Sequence, residues 1–88
     1  MAITRAEQDR LELNEEFKDL RRRYYRLGLV RRLQVLRDTG SMLGFGDERP
    51  VKDLEREALF EFMAAGKGSL LRTLIAQQEV AIAKEVNP

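Results

Sequence analysis

At 88 residues, with a net charge of +1, the chain has material for one modest core, because a domain of this size buries only about two-thirds of the surface its unfolded form exposes. It contains no cysteine and no histidine, which excludes disulfide scaffolds, thiolate metal sites, cysteine nucleophiles and the commonest general base and metal ligand. Hydrophobic residues at 43% and charged residues at 35% suit a helical bundle and are too apolar for a disordered tail.

The N-terminal Met1-Ala2-Ile3-Thr4-Arg5 lacks the apolar core of a secretory leader. Thr4-Arg5-Ala6-Glu7 has capping-box spacing and opens the first element. Leu13, Phe17, Leu20, Tyr24 and Leu27 then fall at 4-3-4-3 intervals, the spacing of a bundle or coiled-coil seam. They predict one helix over 4–27, about 35 Å long at 1.5 Å per residue, which is longer than a domain of this mass requires. Acids gather in its first turns and arginines at its far end, as the helix dipole favours.

At Gly28 the apolar stripe changes sides, with Leu29, Val30, Leu33 and Leu36 pointing nearly opposite to the seam. Either the chain kinks at Gly28, or a straight helix is covered on both sides by different neighbours. This second stretch runs over 29–38 and ends near Gly40, a left-handed cap candidate. A loop over 40–49 follows, and its Met42, Leu43 and Phe45 are apolar for a connection. They either plug the end of the bundle or insert into a partner. Pro50 suits the first turn of a helix over 50–65. Val51, Leu54, Ala58, Leu59, Phe62 and Ala65 line one face of that helix, while Phe60 and Met63 lie off it. Residues 58–65 are therefore apolar nearly all round, and a helix of that kind is buried on more than one side. Gly66-Lys67-Gly68 interrupts the pattern, and Ser69 can cap a last helix over 69–86. Gly66-Lys67-Gly68-Ser69 is not a phosphate loop. Phe62 stands where the first glycine belongs, and no serine directly follows the lysine.

The fold expected is all-α, a small bundle with a long N-terminal helix, a loop and a C-terminal helical hairpin. No apolar run approaches the about 20 residues that cross a bilayer, so the expected setting is the cytoplasm, or a larger particle assembled there. Charge is unevenly spread. Arg21, Arg22, Arg23, Arg26, Arg31, Arg32 and Arg37 occupy residues 21–37 with no acid among them, between two acid-rich stretches. Asp53, Glu57 and Glu61 form an acid ridge at intervals of four. An antiparallel return of that helix would set the ridge against part of the arginine block, leaving the rest for residues 7–19 of a neighbouring copy. Glu15, Glu16, Glu55, Glu57 and Glu61 read as solvated helix faces, because carboxylate metal sites on bundles normally add a histidine. No catalytic, metal or cofactor residue is expected.

The leading function is a non-catalytic helical assembly or adaptor protein acting through protein-protein contacts, as a homo-oligomer or a component of a larger particle. Its expected interface comprises Leu13, Phe17, Leu20, Tyr24, Leu27, Met42, Leu43, Phe45, Phe60 and Met63. The first alternative is nucleic-acid binding, with Arg21, Arg22, Arg26, Arg31 and Arg32 on phosphates and Tyr25 stacking on bases. Near-neutral total charge sets that reading second. Another alternative is a small inhibitor or accessory factor of a host enzyme, viral or plasmid-borne, which no specific residue supports.

Overall fold

The computed structural model describes residues 4–39 and 50–86. Among them are five helices and no strand: α1 (Arg5–Glu12), α2 (Glu15–Arg26), α3 (Leu29–Asp38), α4 (Val51–Ala64) and α5 (Gly68–Val86). The chain is all-α. Met42, Leu43, Phe45 and the expected Gly40 cap lie outside the described residues.

The expected helix over 4–27 is two helices. Thr4 caps α1 as its spacing foretells, its side chain accepting from the Glu7 amide at 3.2 Å. The helix then stops at Glu12, because Asn14 adopts extended backbone and caps a second helix, its Oδ1 accepting from the Phe17 amide at 3.0 Å. Glu15 and Glu16 fill the first turn of α2 and Arg23 and Arg26 its last, so both ends complement the dipole. The break lets α1 turn and pack against α4 while α2 packs against α5. It also removes Leu13 from the seam, leaving that side chain 76% exposed. Asn14→Ala should cost about 1 kcal/mol in chemical unfolding, the usual value of an N-cap. An unchanged midpoint would mean that the cap does not hold the break.

The second break falls at Leu27–Gly28, where both residues are extended. Gly28 has negative φ, and a Cβ there would meet nothing within 4 Å. The elbow therefore needs glycine neither for its conformation nor for space. Between α4 and α5 the glycine is required: Gly66 has a φ of 75° and closes a Schellman turn. Its amide donates to the Met63 carbonyl at 3.0 Å, and that of Lys67 to the Phe62 carbonyl at 3.2 Å. Helix α5 begins at Gly68, one residue before the expected cap Ser69, and Pro50 is the N-cap of α4 rather than a member of its first turn.

The core gathers Phe17, Leu20, Tyr24 and Leu27 from the first stretch with Val35 and Leu36 of α3. Ala58, Leu59 and Phe60 of α4 and Leu71, Leu74 and Ile75 of α5 complete it. Phe17 and Phe60 stack at 4.9 Å between ring centroids, tilted by 31°. Four residues expected at an interface with another chain (Phe17, Leu20, Tyr24 and Leu27), together with Phe60, are thus the interior of a single copy. Met63 is half-buried against that interior. The reason is the Asn14 break. One straight rod would have offered its seam to a neighbour, whereas two short helices fold their seam onto α4 and α5. The 58–65 segment is covered the same way only as far as Phe60; Phe62 and Met63 are half-buried, and Ala64 and Ala65 are exposed.

Candidate protein-contact surface on the third helix

The elbow after α2 sets the direction in which α3 runs, and a buried polar cluster holds it. The Arg32 side chain returns toward the break, its Nη1 donating to the Leu27 carbonyl at 3.0 Å and its Nε to Glu55 Oε1 at 3.2 Å. Its guanidinium lies 5.7 Å from the Tyr25 ring centroid. Tyr24 donates its hydroxyl to the Arg32 carbonyl at 3.4 Å. Glu55 is only 1% exposed, which corrects its reading as part of a solvated face. It lies on the apolar side of α4, one turn before Leu59, and Arg32 neutralises it there. A buried carboxylate without a cation is costly, so this pair ties α4 to the elbow.

Burial, reinforced by the nearby Glu55 carboxylate, pushes the Tyr24 phenol far above its ordinary value, with Arg32 opposing the shift. A phenol whose pKa is raised by folding contributes stability that is fully present below the unfolded value of about 10. That stability is lost as pH rises above it, because the unfolded chain then releases a proton that the folded chain retains. Stability should therefore fall above about pH 10 more steeply in the parent chain than in Tyr24→Phe. Equal slopes in denaturant titrations across that range would contradict this account.

Three other arginines of the block, Arg22, Arg23 and Arg31, pair with acids too, though not with the expected ridge. Arg23 makes a two-pronged contact with Glu79, Nε at 3.1 Å and Nη2 at 2.6 Å, and hydrogen bonding by Arg23 holds the Glu79 carboxyl below the usual carboxylate range. Arg31 donates to Gln78 at 3.0 Å and also to Glu85. Arg22 pairs with Asp19 at 2.6 Å, and Arg21 lies over the Phe17 ring at 5.2 Å. The carboxylates facing the block are thus Glu55, Glu79, Glu85 and Asp19. The ridge residues Asp53 and Glu57 stay exposed and Glu61 half-buried. Arg26 is exposed and acts on Glu79 through its field; Arg37 is exposed and forms no ion pair among the described residues.

With Arg31, Arg32, Val35 and Leu36 turned inward, α3 presents Leu29, Val30 and Leu33 outward, 49%, 81% and 39% exposed. These three and Arg37 share about 100° of arc on the helix. Of the stripe expected to oppose the seam, only Leu36 is buried. Comparison with known protein families, curated proteins and solved structures finds no match.

A mostly polar groove between α1 and α4 is lined by Arg5, Gln8, Asp9, Glu12 and Arg56, and Arg56 bridges it to Glu12 at 3.4 Å. It has no buried carboxylate and no nucleophile beside a base. Among the described residues no group of three acids could hold a metal ion, and no helix is long and apolar enough to cross a membrane.

Of the residues expected to meet nucleic acid, Arg31 and Arg32 are engaged internally, Arg21 is half-buried, and Arg22 pairs along its own helix. Tyr25 is exposed but packs edge-on against Tyr24 at 5.1 Å. Sequence reasoning missed Asn14, Glu55, Glu79 and Glu85 as organisers of this surface. The signal for Asn14 was present in Asn14-Glu15-Glu16, a cap followed by first-turn acids; that for Glu55 was its place between Leu54, Ala58 and Leu59.

Proposed function

We propose that the chain is a non-catalytic helical assembly or adaptor protein that works through protein-protein contact, with the outward face of α3 as its docking surface. The observation that carries this reading is the exposure of Leu29, Val30 and Leu33 together on one short helix, while a separate core is closed by other residues. Scattered single apolar residues need no explanation, whereas adjacent ones on a surface mark contact sites. The case for a homo-oligomer is narrower than the sequence alone suggested, since one copy buries most of the seam and Phe60. Among the described residues, the face of α3 is where exposed large apolar side chains gather on one helix, and it is the surface offered to a second copy or to a component of a larger particle.

The test combines solution mass over a range of concentration and salt with binding of a generic duplex and a single strand at low salt. The reading expects no nucleic-acid binding. Any self-association should vanish in Val30→Asp/Leu33→Asp while helicity and cooperative unfolding persist. Oligonucleotide binding that falls steeply with salt and is lost in Arg26→Glu/Arg37→Glu would replace this reading with phosphate recognition.

A further inference from the structure

We infer that the outward face of α3 takes an acidic amphipathic helix belonging to a different protein. This rests on the docking reading above and adds the chemistry of the partner. Other exposed apolar side chains are spread over several elements, whereas Leu29, Val30 and Leu33 form a stripe on one helix, within about 100° of arc. A second helix laid against it contributes anchors at i, i+4 and i+7, which match such a stripe.

Charge selects the sign of the partner. Arg26 precedes the stripe and Arg37 ends it, both exposed, and Arg37 has no ion pair among the described residues. Among the described residues, the seven arginines of the block outnumber the carboxylates paired with them, Asp19, Glu55, Glu79 and Glu85. At the start of α3 there is no acid in the first turn, and Gly28 supplies no side-chain cap, so the positive end of the helix dipole adds to the same field. The one acid on α3, Asp38, accepts from Gln34 at 2.9 Å.

The same charges argue against a second copy. Pairing the outward face of α3 with that of a copy would place two Arg37 side chains in one interface, with Asp38 the one acid on the helix to offset each, and juxtaposed like charges oppose association. A partner helix with leucines on one side and flanking glutamates meets both the apolar stripe and the arginines.

The experiment titrates the isotope-labelled full chain with a helix-stabilised peptide carrying leucines at i, i+4, i+7 and i+11 and glutamates beside them. The same peptide with lysines in place of glutamates runs in parallel, as do mixed phosphatidylcholine–phosphatidylserine vesicles. The acidic peptide should bind about tenfold or more tighter than the lysine peptide, with amide shifts concentrated over 29–37, and should weaken as salt is raised. Val30→Asp/Leu33→Asp should lower affinity about tenfold or more, and Arg37→Glu about three- to tenfold. Equal binding of the two peptides, shifts elsewhere, or binding of the vesicles in place of the peptide overturns the inference. Self-association abolished by Val30→Asp/Leu33→Asp, with no peptide bound, overturns it in favour of a second copy and leaves the docking reading standing. If neither peptide nor copy engages α3, both fall.

Discussion

Replacing Arg32 with methionine should destabilise the chain by about 3–5 kcal/mol, the cost of leaving a buried carboxylate without its cation. The whole stability of a domain this size is about 5–10 kcal/mol, so the variant should be largely unfolded in mild urea. Two losses combine. Glu55, 1% exposed, keeps only its neighbour Tyr24, and the Leu27 carbonyl at the elbow loses the Nη1 donor at 3.0 Å. They separate in the double variant Arg32→Met/Glu55→Met. Removing both charges should restore most of the stability, because a buried ion pair is commonly matched by apolar residues of similar volume. A shortfall of about 1 kcal/mol should remain for the uncapped carbonyl. If Arg32→Met costs less than about 1 kcal/mol, in the range of an exposed pair, Glu55 is not held as described. Urea unfolding of the parent and the two variants decides it.

The second large effect concerns Phe60. Phe60→Ala should cost about 3–5 kcal/mol, as should Phe17→Ala, since each leaves a cavity the size of a ring in a core with little material to collapse into it. Their rings stack at 4.9 Å, so the double variant should cost about 0.5–1.5 kcal/mol less than the separate losses added together. This experiment also distinguishes an interior from an interface. A side chain in the core of one copy gives a loss that is the same at every protein concentration. A side chain shared between copies gives an unfolding midpoint that moves with concentration. The structure calls for the former, and a loss for Phe60→Ala that disappears on dilution would contradict it.

Periodicity carried much of the fold. The 29–38 stretch matches α3, and Gly66 marks the turn between α4 and α5 by the one backbone conformation that favours glycine. The break at Asn14 was harder to see, because apolar spacing continues through it: Leu13 and Phe17 are as far apart as two members of a seam. Only the cap and the acids behind it betray the boundary, and those are local signals that a longer period overrides. Glu55 was misread because it stands among the acids Asp53, Glu57 and Glu61 in sequence, although its neighbours four residues away, Val51 and Leu59, are apolar; the packing of Leu54, Ala58 and Leu59 decides its fate, and that depends on how α4 is rotated. The ion pairs of Arg23 with Glu79 and Arg31 with Glu85 join residues more than fifty positions apart, so no local pattern announces them. The docking surface was half legible. Leu29, Val30 and Leu33 were assigned to a stripe distinct from the seam, but Leu36 turned inward once the elbow reoriented the helix.

Arg31 touches α5 at Gln78 and at Glu85, two positions seven residues or about 10 Å apart along that helix. One guanidinium thus spans two turns of its neighbour like a cleat over two ribs, so sliding α3 along α5 in either direction breaks one contact without strengthening the other. These two contacts add to the shared core of Val35, Leu36, Leu74 and Ile75 in favouring one axial register of α3 on α5, and anything resting on the far side of α3 meets the platform that this register sets.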